Sequence, residues 1–377
     1  MYKDLQQQLP TTGGDVDWQG LLDLIPSLSA LAATPQDPVY HAEGDVWTHT
    51  RMVCGELMKM PDFQTAGVER RFVLFYSCLL HDIGKPACTE TTPEGRITSR
   101  GHSRIGAIDA RVLLWRAGVP FDLREQICRI IATHQLPFYV LDGHRSGLAP
   151  EFIVRKLSWE VCIRDLVTVA KADTLGRINA GASAAWDNTE LFAELAREDG
   201  CFDVPRTFPD AATRMRYFLS EGKNSPDHPF FTEPGSAVTV LSGLPASGKD
   251  TWVQKHGAGR AVVSFDEARE ELGVKHGTAA EGKAVHLVID RARELLRRKA
   301  PFIWNATNLS AQMRQKTLDL LYSYGAQVEI VYLENEEKTI KGRNNKRDTS
   351  LTNAAIDRML HKWEVPLPSE AHTVIYL

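Results

Sequence analysis

The feature that most constrains the fold of this chain is a glycine-rich loop in its second half, directly after a short apolar run. The run is Ala237–Leu241, and the segment after it contains Gly243, Leu244, Pro245, Ala246, Ser247, Gly248, Lys249, Asp250 and Thr251. The glycines let backbone N–H groups turn inward on a phosphate chain, the next helix offers its positive end, and the lysine reaches the outer phosphates. A purely structural turn would not need the lysine, so this segment is predicted to bind a nucleotide.

After this loop, short apolar runs alternate with helical segments. The further runs are 261–265, 301–305, 328–333 and 373–376. Buried parallel strands show such continuous apolar runs, and strands that alternate with helices form a parallel sheet. Residues 236–377 are therefore predicted to form an α/β domain with a parallel sheet.

One position of the loop departs from the usual pattern. The residue after the lysine is normally Ser or Thr, whose hydroxyl binds Mg²⁺, whereas this chain has Asp250 followed by Thr251. A carboxylate also suits Mg²⁺, so either Asp250 binds the metal, directly or through water, or Thr251 takes over with a small shift. The sequence leaves both alternatives open.

Two residues after the second predicted strand suit phosphoryl transfer to a hydroxyl group. Such a hydroxyl needs a carboxylate that orients it and accepts its proton, and Asp266 stands at the strand end. Arg269, one helical turn later, is predicted to hold an acceptor phosphate. The alternative role for Asp266 is a helix cap.

A basic segment near the end of the chain, Lys341–Arg347, offers further positive charge. Arg343 and Arg347 lie one helical turn apart, so both guanidinium groups can face the phosphates and neutralise developing charge. A solvated basic helix face is the alternative.

The first half of the chain shows the three- and four-residue apolar spacing of helices. The predicted helical segments are 18–33, 52–60, 68–80, 103–117, 123–133 and 151–175. No hairpin is predicted, so residues 1–204 are interpreted as an all-α domain. Prolines interrupt residues 205–235, which are predicted to be a linker with a short helix at 211–219.

A histidine and an aspartate stand side by side at His81 and Asp82. The pair can share a metal ion, but a hydrolytic site needs more ligands and an open position. The further candidates in this half are His49, His102, His134 and Asp173. Lys85 can present its cation to a phosphate oxygen, or it is a helix-end lysine that faces the helix dipole.

The ordered series of histidines and aspartates over about residues 35–200 resembles the HD phosphohydrolase superfamily. The resemblance implies a first metal ion on His49, His81, Asp82 and Asp173, and a second on His102 and His134. It also implies one or two divalent transition metals such as Mn²⁺, Ni²⁺ or Co²⁺, and a phosphate contact for Lys85.

The second half resembles the polynucleotide 5′-hydroxyl kinase family. Asp266 and Arg269 match its D-x-x-R, and Lys341–Arg347 is similar to its arginine-bearing lid. Trp304–Leu309, with Arg314 in the next helix, is similar to its third-strand segment, although the acid often found there is Asn305. The implied domain is a P-loop kinase that uses Mg²⁺ with ATP or another NTP.

The two halves together resemble the bacterial HD-Pnk end-healing enzymes, a family that joins an HD domain to a P-loop polynucleotide kinase. The resemblance implies a 2′,3′-cyclic phosphodiesterase and 2′/3′-phosphatase in the first domain and a 5′-OH kinase in the second. It implies RNA or DNA ends as substrates, RNA above all, and action together with a ligase. One alternative is a mononucleotide phosphohydrolase fused to a nucleoside or small-molecule kinase, and another is an NTP-sensing regulatory protein.

The distribution of charge and of cysteines indicates which binding partners and which cellular compartment suit the protein. The formal net charge is about −7 before Ser236 and +3 from there on, which argues against tight nonspecific duplex binding but not against one basic groove. All six cysteines precede residue 235, and none forms a CxxC pair. The polar start and the lack of a long apolar run favour a cytoplasmic protein without a membrane partner.

Overall fold

The structure, a computed structural model, describes residues 1–141, 147–178, 182–231, 233–275, 278–346 and 351–377. The chain forms two compact units, Met1–Thr207 and Phe208–Leu377. The first is helical and the second is an α/β unit, in the order that the sequence predicts. No described helix is long and apolar enough to cross a membrane.

The first unit consists mainly of α-helices. They are α1 (Tyr2–Gln7), α2 (Trp18–Leu24), α3 (Val46–Lys59), α4 (Pro61–Gln64), α5 (Val68–Leu80), α6 (Lys85–Cys88), α7 (His102–Arg116), α8 (Phe121–Thr133), α9 (Pro150–Leu157), α10 (Ile163–Leu175) and α11 (Ala182–Glu198). Two 3₁₀ helices, Pro26–Ala33 and Leu136–Phe138, and a short antiparallel pair, β1 (Glu90–Thr91) with β2 (Ile97–Thr98), complete its described elements.

Helix α5 lies at the centre of this unit. Every residue from Phe72 to Leu80 is buried, as expected for a helix that is apolar on all faces. Helices α3, α8 and α10 pack against it. His81 follows its last residue directly, so the buried helix brings the His-Asp pair into the core.

The structure differs from the sequence prediction in three places in this unit. The helix expected at 18–33 is divided into α2 and the 3₁₀ helix Pro26–Ala33, because a proline disfavours the helical conformation of the residue before it, here Ile25. The helix expected at 151–175 is interrupted at 158–162, where the hydroxyl of Ser158 accepts from Arg206 N at 2.9 Å and Trp159 Nε1 donates to Arg206 O at 2.9 Å. The unit is also not purely helical, because a turn around Gly95 joins β1 to β2.

The second unit alternates strands and helices. After α12 (Ala211–Leu219) come β3 (Ala237–Ser242), α13 (Lys249–His256), β4 (Ala261–Ser264), α14 (Phe265–Leu272), α15 (Glu281–Arg297), β5 (Phe302–Asn305), α16 (Ala311–Ser323), β6 (Gln327–Tyr332), α17 (Glu337–Asn344), α18 (Asn353–Leu360) and β7 (Thr373–Tyr376).

The five strands of the second unit form one parallel sheet in the order β4-β5-β3-β6-β7. Strand β3 is central, and its residue Val238 is opposite Phe302 of β5 and Val328 of β6. The glycine-rich loop therefore leaves the middle of the sheet at its carboxyl edge, where ligands bind in open α/β folds.

The proline-containing segment before the sheet is partly structured. Helix α12 forms at the residues that the sequence indicates, and Arg214 on it donates to Ala371 O at 2.9 Å and to His372 O at 2.7 Å. These bonds tie the segment to the strand β7 region, so residues from Phe208 onward pack within the second unit and do not form a separate linker.

Candidate functional site

Four of the predicted ligands converge at the centre of the first unit. His49 comes from α3, His81 and Asp82 follow α5, and Asp173 lies on α10. His49 Nε2 is 3.0 Å from Asp173 Oδ1 and 3.4 Å from His81 Nε2. His81 Nε2 is 3.2 Å from Asp82 Oδ2. All four side chains are buried, so three separate helices bring one compact set of donor atoms together.

Asp82 also belongs to a second group of donors. Its Oδ1 lies 3.3 Å from His102 Nε2, and the ring of His134 packs against the rings of His81 and His102 at centroid distances of 5.3 and 5.4 Å. The donor atoms of Asp82, His102 and His134 lie within 4.8 Å of one another, as do those of His49, His81 and Asp82. The carboxylate of Asp82 therefore joins two neighbouring groups of possible metal ligands.

Three of the histidines are oriented by the same backbone contact. Nδ1 of His81, His102 and His134 lies 2.7 Å from the carbonyl oxygen three residues earlier in each case. A carbonyl only accepts, so Nδ1 carries a proton and Nε2 is the nitrogen left to bind a metal ion. Nε2 of His81 and His102 then faces Asp82, which is the tautomer and orientation that a metal ligand needs.

The protonation of the site suits a cation. Burial opposes the charge of Asp82, but His81 and Lys85 hold the pKa of its carboxyl well below the usual range. Burial together with His81 lowers the pKa of His134 to about 3. Burial opposes the charge of His81, but Asp82 raises its pKa, so a metal ion would replace a proton on its Nε2. The cluster then offers the ionised carboxylate of Asp82 and the neutral imidazole of His134, donors that fit divalent transition metals.

Sequence reasoning missed Glu43 and His41, which adjoin the site from the loop before α3. Glu43 Oε1 is 2.8 Å from His41 Nδ1 and 3.0 Å from His49 Nδ1, and its Oε2 accepts from Ile178 N at 3.0 Å. Its side chain is almost fully buried. Histidine ligands commonly contact a carboxylate through their other nitrogen, so Glu43 is suited to orient His49.

Arg177 was also missed, although it lies one helical turn after Asp173. Its Nε donates to Asp173 Oδ1 at 3.0 Å, and its guanidinium packs over the ring of Phe138 at 5.1 Å. Burial opposes ionisation of Asp173, but Arg177 and His49 hold its pKa well below the usual range. The i, i+4 spacing on a helix was the available signal.

Lys85 belongs to the same cluster. Its Nζ is 2.7 Å from Asp82 Oδ2 and donates to Gln36 Oε1 at 2.7 Å. The side chain is buried, so this lysine is not a solvent-exposed cation at a helix end. Its position places a positive charge beside the carboxylate that the two donor groups share.

In the second unit, two glycines of the glycine-rich loop have a positive φ. Gly243 has φ +146°, and a Cβ there would lie 2.3 Å from Leu333 O. Gly248 has φ +111° and directly precedes α13. The positive φ favours glycine at both positions, and at Gly243 a Cβ would also collide with a carbonyl oxygen. Lys249 Nζ donates to Gly243 O at 2.9 Å and to Leu244 O at 2.8 Å, so the lysine folds back along the loop that it serves.

Two asparagines that the sequence did not single out as site residues hold this loop and the end of strand β3. Asn335 Nδ2 donates to Ser247 O at 2.8 Å, and Asn308 Nδ2 donates to Leu241 O at 2.8 Å. Gly243 N also donates to Thr307 O at 2.9 Å. The loops after β5 and β6 therefore fix the phosphate loop from both sides.

The predicted acceptor-side residues lie at the start of α14. Asp266 contacts Arg269 Nη2, and Arg269 Nη1 is 3.0 Å from Glu281 Oε1. The cap of α14 is Ser264, whose hydroxyl accepts from Glu267 N, so Asp266 does not have that role. Its side chain is 85% exposed.

The arginines that the sequence singles out in the second unit differ in whether they reach the phosphate loop. A Cβ built on Gly248 would lie 3.7 Å from Arg343 Nη1, so Arg343 reaches the phosphate loop. Arg347 lies outside the described residues. Arg314 is buried and donates to Glu370 Oε2 at 2.6 Å and to Glu364 O at 2.6 Å, which makes it a structural residue.

Comparison with known proteins supports the nature of the second unit. The family model described as "AAA domain" matches residues 238–366, which include the phosphate loop and four of the five strands. With the parallel sheet and the buried Lys249, this identifies the second unit as a kinase-like P-loop domain.

The chain is similar over part of its length to two curated proteins. It is 28% identical to a CC-adding tRNA nucleotidyltransferase of Thermus thermophilus over 48% of this chain and 38% of that protein. It is 27% identical to a multifunctional CCA protein of Psychromonas ingrahamii over 36% of this chain and 32% of that protein. The chain thus spans about a third of the length of these curated relatives.

Two solved structures are similar to parts of the chain at 18% identity. One is a structure of the Pnkp1/Rnl/Hen1 RNA repair complex, with a TM-score of 0.32 over 35% of this chain and 45% of that chain. The other is a gluconokinase from Sinorhizobium meliloti 1021, with a TM-score of 0.28 over 38% of this chain and 83% of that chain.

Proposed function

We propose that this protein is a bifunctional enzyme that heals broken nucleic acid ends. Its first unit would open 2′,3′-cyclic phosphates and remove terminal 2′ or 3′ phosphates, and its second would phosphorylate 5′-OH ends with an NTP. The observation that carries the proposal is the presence in one chain of two donor groups joined by Asp82 and a separate phosphate loop with its lysine. Each of these sites handles phosphate chemistry of a different kind.

In the phosphoesterase site, the residues that would hold divalent metals are His49, His81, Asp82, His102, His134 and Asp173. Metal ions bound there lower the pKa of a water molecule and polarise a phosphate group. Arg177 and Glu43 hold Asp173 and His49 in place. Lys85 is placed to give its positive charge to a phosphate oxygen next to Asp82.

In the kinase site, Asp266 would orient the 5′-OH and accept its proton as the new bond to phosphorus forms. Lys249 would exchange its bonds to the carbonyl oxygens of Gly243 and Leu244 for bonds to phosphate oxygens. Arg343, next to Gly248, would neutralise charge on the transferring phosphoryl group together with Arg347, and Arg269 would hold an acceptor phosphate. Mg²⁺ with ATP or another NTP supplies the phosphoryl group and part of the charge compensation.

A polynucleotide is the substrate class that joins the two activities. Cleavage of RNA through the ribose 2′-OH leaves a 2′,3′-cyclic phosphate and a 5′-OH, and a ligase that needs 3′-OH and 5′-phosphate ends cannot join them. The 85% exposure of Asp266 favours a large acceptor over an enclosed small molecule. The tRNA nucleotidyltransferase name of a curated relative also favours RNA.

An assay with end-labelled oligonucleotides tests this proposal. The protein would receive an RNA with a 2′,3′-cyclic phosphate and, separately, an RNA with a 5′-OH, each with a panel of divalent metals and ATP. Loss of the terminal phosphate from the first and gain of a 5′-phosphate by the second are expected. Turnover of free nucleosides or mononucleotides, with no reaction at oligonucleotide ends, would contradict the proposal and support a small-molecule kinase joined to a mononucleotide phosphohydrolase.

A further inference from the structure

Asp250 and Asn305 form a contact at the phosphate loop. Asp250 is the second residue of α13, directly after the loop lysine, and Asn305 ends β5, the strand beside β3. Asn305 Nδ2 donates to Asp250 Oδ1 at 3.0 Å. The opposite orientation of the amide would place its oxygen against the carboxylate, so the charge of Asp250 fixes the orientation of Asn305.

This pair contains the usual groups of a phosphate-loop metal site in exchanged positions. In P-loop enzymes Mg²⁺ is held by a hydroxyl directly after the lysine and by an aspartate from a nearby strand. Here the carboxylate follows the lysine, and the neutral side chain ends the adjacent strand. The pair carries one negative charge in either arrangement, so only the position of that charge has changed.

The exchange explains why position 305 is an amide. With a carboxylate at position 250, a second carboxylate at 3.0 Å would be repelled. An asparagine instead donates a hydrogen bond and holds the acid toward the carboxyl edge of the sheet. Thr251, the alternative ligand, is the next residue on the helix and is rotated from Asp250 by about 100°.

We propose that Asp250 is the carboxylate ligand of the Mg²⁺ that accompanies a bound NTP, and that Asn305 positions it. The inference deepens the kinase part of the proposed function and rests on NTP binding by the loop. Thr251 has no part in holding the metal. A hydroxyl at position 250 becomes sufficient only when the carboxylate moves to position 305.

Binding of ATP to the full-length protein, measured by titration calorimetry with and without Mg²⁺, tests this assignment. The quantity of interest is the gain in affinity that Mg²⁺ gives. We expect Asp250→Asn to reduce this gain about tenfold or more, since a charged contact is lost. Thr251→Ala tests the alternative ligand on the same helix and should keep the full gain. The double variant Asp250→Ser with Asn305→Asp should regain most of it.

The outcomes are distinct. A full Mg²⁺ gain in Asp250→Asn, or its loss in Thr251→Ala, would overturn the assignment of the ligand. The double variant must unfold at the same temperature as the parent. If Mg²⁺ then still does not increase its affinity for ATP, the two positions are not interchangeable as proposed. Because the assay contains no polynucleotide, a parent that binds Mg²⁺ and ATP through Asp250 but does not phosphorylate 5′-OH ends would refute the kinase function and leave the inference standing.

Discussion

Nδ1 of His49 lies 3.0 Å from Oε1 of Glu43, a buried carboxylate on the loop before α3. The opposite nitrogen of this imidazole faces Asp173 at 3.0 Å, so the ring is held from both ends. A histidine fixed in this way needs little rearrangement to bind a metal ion.

Replacement of Glu43 should therefore weaken metal binding without removing a ligand. We expect Glu43→Gln to lower the affinity for Mn²⁺ by about tenfold to a hundredfold, measured by titration calorimetry on metal-free protein. Glu194→Gln, at a half-exposed surface ion pair with Arg197, is the control and should bind as the parent does. An unchanged affinity in Glu43→Gln would show that His49 is positioned by its other contacts alone.

The second prediction concerns metal content, because Asp82 belongs to two groups of possible metal ligands. His134 belongs to one donor group, whereas Asp82 belongs to both. His134→Ala should therefore retain one tightly bound metal ion per protein, and Asp82→Ala should retain none. Elemental analysis of dialysed protein gives these ratios. Equal metal content in the two variants would argue against two groups joined by Asp82.

The two activities should be separable by mutation, because their residues lie in different units. Asp82→Ala should reduce phosphate release from a 2′,3′-cyclic end to the level of metal-free protein and leave 5′-phosphorylation unchanged. Lys249→Ala should lower 5′-phosphorylation about a hundredfold or more and leave phosphate release unchanged. Both rates are read from the same end-labelled oligonucleotides, and loss of both activities in either variant would contradict separate sites.

The sequence predicted the second unit more completely than the first. All five strands appear within a few residues of the expected runs, because buried parallel strands are continuous apolar segments that need no distant information. The phosphate loop was also predictable, because its motif is a short continuous segment. The role of Arg314 could not be predicted in this way, since its partner Glu370 lies far along the chain. The motif alone does not distinguish a structural arginine from a functional one.

In the first unit, the sequence indicated which buried donors come together but not the residues that contact them. His81 and Asp82 directly follow a strongly apolar helix and Asp173 lies on another, so these polar residues are unusual in their surroundings. Glu43 and Gln36 lie in loops without a periodic pattern, and only the fold brings them to His49 and Lys85. The break at 158–162 was missed for the same reason, because its hydrogen-bond partner, Arg206, is remote in sequence.

The last prediction concerns the stability of the first unit. Glu125 on α8 lies 2.9 Å from Arg111 Nη2 and 2.8 Å from Arg124 Nε, and both arginines are buried. Burial opposes the charge of Glu125, but the two guanidinium groups lower its pKa below the ordinary carboxyl value. Glu125→Gln would leave two buried cations without this carboxylate, and we expect it to reduce the free energy of unfolding at neutral pH by about 3 kcal/mol or more.

The pH dependence of unfolding follows from the same pKa. A carboxyl whose pKa is lower in the folded state than in the unfolded state stabilises the fold above its unfolded pKa, and this contribution is lost as pH falls through the folded pKa. The free energy of unfolding of the parent, from urea titrations, should thus fall more steeply on acidification below the ordinary carboxyl range than that of Glu125→Gln. Glu194→Gln should follow the parent. Parallel pH profiles for the parent and Glu125→Gln would mean that Glu125 does not contribute its charge to the fold.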